Sequence, residues 1–239
     1  MILVLWDIDR TLLYVGDTDR LVYREVFREI IGREAARLPE RGTGVTMPLA
    51  VRELLSANDV SDTDGAIAQR IVERLPEHLG RHREGMRRSG RLMPGASEAL
   101  AAVHQTAGLV PTVLTGNLRA SAQIKLATFS LLRYVDLSVG GFASDDPHRP
   151  ALVGIAQRRS TSTYAYEYSR ENTVIIGDSL EDVRTGKNGG AMVIGVASGT
   201  TSPDQLTSAG ADYVLPDLTD VDRLLDVINR LAGQSPRLK

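Results

Sequence analysis

The sequence predicts an α/β fold: an open, Rossmann-like parallel sheet core with an inserted all-α cap domain. Three observations lead there. Short apolar runs recur along the chain and are mostly apolar throughout, the pattern of parallel strands covered on both faces. Helical patterns lie between them, as right-handed crossovers require. One long segment, 16–91, interrupts this rhythm with helical patterns only.

The first run, Ile2–Trp6, predicts the opening strand. Helical stretches follow at Leu21–Ile31, Pro48–Ala57 and Ser61–His82. Asp62 and Asp64 suit the positive start of the third, and Pro48 suits the first position of the second. Met93-Pro94-Gly95 breaks the chain before a helix over Ala96–Thr106. Strands are then predicted at Val110–Leu114, Leu137–Phe142, Val174–Ile176, Met192–Val196 and Tyr213–Leu215. Helices are predicted at Ala120–Phe129, Ala151–Glu167, Asp182–Asn188 and Asp220–Leu231. The division is thus 1–15 and 92–239 as the catalytic core and 16–91 as the helical cap, with a tail, Gly233–Lys239, expected to fray.

Composition narrows the function. The 239 residues carry a net charge of −2, which gives no footprint for nucleic acid or an anionic membrane. There is no cysteine, so thiolate metal sites and cysteine nucleophiles are excluded. No apolar run approaches the roughly 18 residues of a membrane span. The default expectation is a cytoplasmic monomer or homodimer whose partner is a small molecule.

The chemistry sits where the predicted strands end, because ligands of open α/β sheets bind beyond the carboxyl ends of their strands. Asp7-Ile8-Asp9-Arg10-Thr11 follows the first strand. Thr115-Gly116-Asn117 follows the second, and Gly177-Asp178-Ser179-Leu180-Glu181-Asp182 follows the fourth. Two acids two residues apart at the tip of a buried strand are costly unless something compensates their charge. Carboxylates gathered without thiols or paired histidines favour a hard cation, Mg²⁺ above all. Asp7, at the strand tip, is a candidate nucleophile, and Asp9, on the same side of an extended chain, a candidate acid and base. The alternative is that Asp7 and Asp9 only cap the next segment, and that Asp178 and Asp182 do the same for theirs.

Asp7-Ile8-Asp9-Arg10-Thr11-Leu12 resembles the D-x-D-x-T motif of haloacid dehalogenase-like phosphatases. Leu114-Thr115-Gly116-Asn117 resembles their second motif, and Gly177–Asp182 their fourth. Met93-Pro94-Gly95 resembles the return from a helical cap, and Ala209–Leu215 the closing strand. The best match is to phosphoglycolate phosphatase-like members, whose cap lies between motifs one and two. The resemblance implies a Mg²⁺-dependent phosphatase working through an aspartyl-phosphate on a small phosphorylated metabolite, phosphoglycolate-like or a sugar phosphate. It implies metal ligation by the Asp7 and Asp178 side chains and the Asp9 backbone carbonyl. Asp182 would act through water or by orienting a ligand, with Thr11 beside it. Thr115, Gly116 and Asn117 would hold the phosphoryl oxygens.

The sequence also departs from that family. The usual Lys-Pro pair reads Arg149-Pro150. Lys125 is a competing phosphate cation, and we expect it to lead, with Arg149 as an orienting partner. Gly44-Val45-Thr46-Met47-Pro48 resembles a cap loop in which Met47 stands where aspartate is common. His78 and His82, one helical turn apart, lack the glutamate of a His-Glu-x-x-His zinc site, so we expect a solvated face. Tyr164, Tyr166 and Tyr168 fall in a stretch expected to be helical, and Arg87-Arg88 in a solvated linker. A 2-haloacid dehalogenase needs neither Asp9 nor Asp178. A non-catalytic phosphate-sensing module would lack the helical insert. A phosphomutase of the same family stays open.

Overall fold

The computed structural model of the protein describes residues 1–40 and 44–232. The expected fraying of 233–239 falls outside them. The chain opens on β1 (Ile2–Trp6) and a short β2 (Leu13–Tyr14). Four helices follow: α1 (Thr18–Ile31), α2 (Met47–Ala57), α3 (Ala66–Arg81) and α4 (Arg83–Ser89). After β3 (Arg91–Leu92) the chain alternates through α5 (Ala96–Gln105), β4 (Leu109–Thr115), α6 (Arg119–Thr128) and β5 (Gly141–Phe142). It continues through α7 (Arg149–Tyr164), β6 (Thr173–Gly177), α8 (Leu180–Gly189) and β7 (Met192–Val196). It closes with α9 (Pro203–Ala209), β8 (Tyr213–Leu215) and α10 (Val221–Ala232).

Six strands form one sheet in the order β5-β4-β1-β6-β7-β8, with every pairing parallel. The side chains of β1 show why its residues are apolar throughout. Val4 and Trp6 join the cluster that holds Leu100 and Val103 of α5 and Leu224 and Ile228 of α10. Leu3 and Leu5 join the opposite cluster, with Leu152 of α7, Val183 of α8 and Leu206 of α9. Each face of the strand is thus buried by helices. The chain moves outward from β1 to β4 and β5 on one side, and to β6, β7 and β8 on the other. That reversal at β1 makes a crevice at the strand ends.

The helices α1–α4 are inserted between β2 and β3, which pair antiparallel with Leu13 opposite Leu92 and Tyr14 opposite Arg91. Two guanidinium groups cover the Tyr14 ring, Arg10 at 4.8 Å and Arg91 at 5.0 Å. Within the insert, α3 buries Ile71, Leu75 and Leu79 along one stripe. Helix α3 begins at Ala66, later than the expected Ser61, because the two acids precede it and cap it: Asp62 accepts from the N–H groups of Ile67 and Ala68, and Asp64 from that of Ala66. Pro48 lies one position further into α2 than expected, because Met47 opens that helix.

Several expectations need correction. His78 is not solvated. It is buried, with one ring nitrogen 3.2 Å from Glu25 and the other 2.6 Å from Glu29, both on α1. His82 reaches Glu25 at 2.8 Å. The pair therefore ties α3 to α1. The strand expected over 137–142 shrinks to β5, because Asp136 folds the chain into a turn by accepting from the N–H and hydroxyl of Ser138. The helix expected to reach Glu167 stops at Tyr164, since Ala165 takes a left-handed φ of 51°. Tyr166 and Tyr168 lie beyond it and stack edge to face. The short strands β2 and β3 carry no sequence signal.

Candidate active site

Three neighbouring strands deliver the site. β1 lies between β4 and β6, with Trp6 opposite Val113 on one side and Ile176 on the other. The residues just past their ends therefore meet at one edge. Asp7 extends the ladder by donating its N–H to the Ile176 carbonyl at 2.9 Å. The chain then turns back: Arg10 takes a left-handed φ of 68° and donates its N–H to the Leu13 carbonyl. This turn swings Thr11 back over the strand tip. Its hydroxyl lies 3.1 Å from Asp178 and 3.4 Å from Asp7, so one buried donor serves both acids.

Asp182 does two things at once. One of its oxygens accepts from the Ser179 N–H at 2.9 Å and the Ser179 hydroxyl at 2.6 Å, while the Ser179 oxygen accepts from the Asp182 N–H. This is the reciprocal cap of α8. The other oxygen accepts from Arg149 at 2.5 Å. The same terminal nitrogen of Arg149 also donates to Asp7 at 2.6 Å. Oxygens of Asp7, Asp178 and Asp182 lie within 4.8 Å of one another, all buried. Burial, and then the charge of Asp182, push the Asp178 carboxyl up to about 7. The same two causes raise Asp7 well above the usual carboxylate range, against the pull of Arg149. An all-oxygen, buried and over-acidic set of this kind fits a hard divalent cation.

Asp9 faces a different cation. Lys125, fully buried on α6, donates to both oxygens of Asp9 at 2.8 and 2.9 Å and to Asp19 of α1 at 2.8 Å. Burial alone would lower the Lys125 pKa, but Asp19 and Asp9 outweigh it and push it up. Asn117 donates to Asp9 at 2.7 Å and to the Thr115 hydroxyl oxygen at 2.8 Å. The second motif thus holds the second aspartate.

Several of these groups border a cavity of about 180 Å³. Its floor includes Asp7, Asp9, Thr115, Gly116, Asn117, Arg149 and Asp178, and its upper wall Tyr14, Arg20, Tyr23, Met47 and Ala50. The stretch 44–47 presses directly on the core. The Gly44 carbonyl accepts from Arg149 at 2.6 Å, Thr46 donates to the Pro147 carbonyl at 2.7 Å, and the Met47 N–H donates to the Gly116 carbonyl at 2.8 Å. Gly44 has φ of 70°, and a Cβ there would lie 2.7 Å from that of Glu181. Only glycine fits so close an approach.

The residues expected from the motifs are therefore gathered together, but the two cations divide differently from expectation. Lys125, expected to lead as the phosphate cation, is enclosed by Asp9 and Asp19, whereas Arg149 reaches Asp7. Arg87 and Arg88 line no part of the cavity. Two contributors were missed, Asp19 and the Gly44 carbonyl. Asp19 lies in the first turn of α1, where an acid is ordinary, so its sequence position hides its role. A backbone carbonyl gives no residue-type signal at all.

Residues 146–221 match the family model described as HAD-hydrolase-like. A curated relative, "Probable phosphatase IndB" of Dickeya dadantii (strain 3937), is 30% identical over 134 residues. The match spans about half of each chain, 55% of both. Among solved structures, a hydrolase from Pseudomonas syringae is 21% identical, with a TM-score of 0.68 over 95% of this chain and 99% of that one. A HAD hydrolase, family IA, variant 3, from Entamoeba histolytica is 19% identical, with a TM-score of 0.67 over 96% and 100%. A predicted phosphoglycolate phosphatase from Haemophilus somnus is 16% identical, with a TM-score of 0.65 over 94% and 98%. Residues 146–221 are thus similar to HAD-hydrolase-like proteins, and the fold is shared with these solved structures over 94–96% of the chain.

Proposed function

We propose that this chain is a phosphoric monoester hydrolase of the haloacid dehalogenase-like type, acting on a small phosphorylated metabolite with Mg²⁺ as its cofactor. One observation carries the reading: acids from two stretches of the chain more than 150 residues apart, Asp7 on one and Asp178 and Asp182 on the other, meet at the switch point of the sheet, with Thr11 (167 residues from Asp178) between Asp7 and Asp178. The phosphatase name of the relative matched over about half its length, and the hydrolase and phosphatase names of the structural neighbours, lend support.

Asp7, Asp178 and the Asp9 backbone carbonyl would hold the cation, with Asp182 behind them. When bound, the cation offsets the negative charge of the phosphoryl group and its surrounding acids. The protein groups do the rest. A carboxylate oxygen of Asp7 attacks phosphorus, and the ester P–O bond breaks. Protonated Asp9 gives its proton to the departing oxygen, and the alcohol leaves. Water then attacks the aspartyl-phosphate, its proton passes to Asp9, and inorganic phosphate is released. Arg149 lies beside Asp7 and stabilises charge on the transferred oxygens, along with Thr115 and the backbone N–H groups near Gly116. The insert 16–91 acts as a cap that excludes water and shapes the pocket, with Val15–Gly16 and Arg91–Pro94 as its hinges.

The test is phosphate release over a panel of small phosphate esters. Wild type with MgCl₂ should turn over. Asp7→Asn should lose at least about a thousandfold in kcat, as expected for loss of the attacking group. EDTA should abolish turnover, and MgCl₂ should restore it. Activity retained in Asp7→Asn would sink the reading. Interconversion of sugar phosphates without free phosphate would favour the phosphomutase instead.

A further inference from the structure

Both buried cations at the site are held from two sides. Lys125, on α6, donates to Asp9 and to Asp19, and Arg149, on α7, donates to Asp7 and to the Gly44 carbonyl. In each case the first partner belongs to the core and the second to the helical insert. Lys125 is wholly buried, so no solvent stands ready to replace a lost partner. α4 also touches the helix that carries it, through Arg87 and the Thr128 carbonyl at 3.5 Å.

We infer that Asp19 is a positioning residue for the reaction: through Lys125 it fixes the carboxylate of Asp9 for proton transfer, and it does so only while the cap rests on the core. The inference builds on the phosphatase reading above. With Asp19 in place, the Lys125 ammonium is shared between two carboxylates and lies along both oxygens of Asp9. Without Asp19, the ammonium has one acid left, and its stem is free to follow that acid out of line. Cap closure is then felt at the proton-transfer group itself as well as at the pocket entrance. The Gly44 carbonyl does the matching task for Arg149, so closure completes both halves of the machinery together.

A double-mutant cycle tests this. Asp19→Asn and Lys125→Met, singly and combined, are assayed with p-nitrophenyl phosphate and MgCl₂, with thermal melts alongside. Asp19→Asn should lower kcat by about tenfold to a hundredfold, while KM changes by less than about threefold, as displacement of a reacting group requires. In the Lys125→Met background, Asp19→Asn should cost nothing more, because the two act as one unit. Should Asp19→Asn not fold, Asp19→Glu enters the same cycle, since it keeps the charge but shifts it by a methylene. Equal losses in both backgrounds, or an effect on KM alone, would overturn the role of Asp19. A crystal structure of Asp19→Asn reads the same point without turnover. An Lys125 ammonium displaced from Asp9 by about 1 Å or more agrees with the inference; an unmoved one overturns it. The two proposals separate cleanly. An active Asp7→Asn removes the phosphatase reading, whereas an inert Asp7→Asn with additive losses at Asp19 and Lys125 removes only this one.

Discussion

Arg149 touches both the candidate nucleophile and the acid that caps α8, and it is buried with them. Lys125 touches Asp9 and Asp19 and lies no less deep. The motif stretches announced which acids would matter, since two carboxylates two residues apart at the end of an apolar run have few structural uses. They did not announce which cation would serve which acid. Both Arg149 and Lys125 sit at helix positions where a charge is unremarkable, and only the rotation of α6 and α7 about their axes decides where each side chain ends. The ranking of the two cations now follows from contact. Arg149→Ala leaves Asp7 without its nearest positive group and should lower kcat by about a hundredfold to a thousandfold, the usual range for a lost donor to developing charge. Lys125→Ala should cost less, because Asn117 still holds Asp9. Steady-state kcat for the two variants decides it. A smaller loss for Arg149→Ala would return Lys125 to the leading place.

Elements were legible wherever their signal is local. The start of α3 was marked by Asp62 and Asp64, and the β6–α8 turn by Gly-Asp-Ser with an acid three residues on. Two-residue strands such as β2 and β3 have too few side chains to show a period, so they appear only once the insert has folded back on itself. The histidines of α3 misled for a related reason: their partners, Glu25 and Glu29, lie on another helix. The α8 cap carries the element-level prediction. Ser179→Ala removes the side-chain acceptor for the Asp182 N–H and one of three donors to its carboxylate. It should destabilise the fold by about 1 kcal/mol in a urea melt, as lost N-caps do. It should also lower kcat, because Asp182 then holds Arg149 less firmly. Unchanged stability and unchanged kcat together would show that the cap is idle.

The whole molecule concentrates charge where its sheet reverses direction, and this shapes its response to pH. Asp7 and Asp178 both bind their protons more tightly folded than unfolded, chiefly because they are buried and because Asp182 is near. Raised carboxyls stabilise the fold fully below the unfolded value near 3.8, and that contribution is lost as pH rises through about 7. Carboxyls lowered by partners, such as Glu25 beside His82 and His78, act in the opposite sense, but only below their ordinary value of 4.5. Between these limits the raised pair governs. Protein kept in EDTA should therefore melt at a lower temperature at pH 8 than at pH 5. MgCl₂ should raise the melting temperature most at pH 8, where binding displaces the fewest protons. Thermal scans across that range, with Asp178→Asn for comparison, measure it. A melting temperature that climbs from pH 5 to pH 8 without metal would contradict the placement of these acids.

The sequence by itself determined most strands of the large sheet, most helices, the helical interruption and the three motif-bearing turns, because each rests on contacts within a few residues or on a period set by backbone geometry. Only the tertiary structure decided that Arg149 faces Asp7, that Lys125 joins Asp9 to Asp19, and that the Gly44 carbonyl closes on Arg149. Those pairings link residues more than a hundred positions apart, except that of Asp9 with Asp19, which meet through Lys125. Packing of whole helices against the sheet sets such distances, and no local pattern encodes the angle at which a helix finally comes to rest.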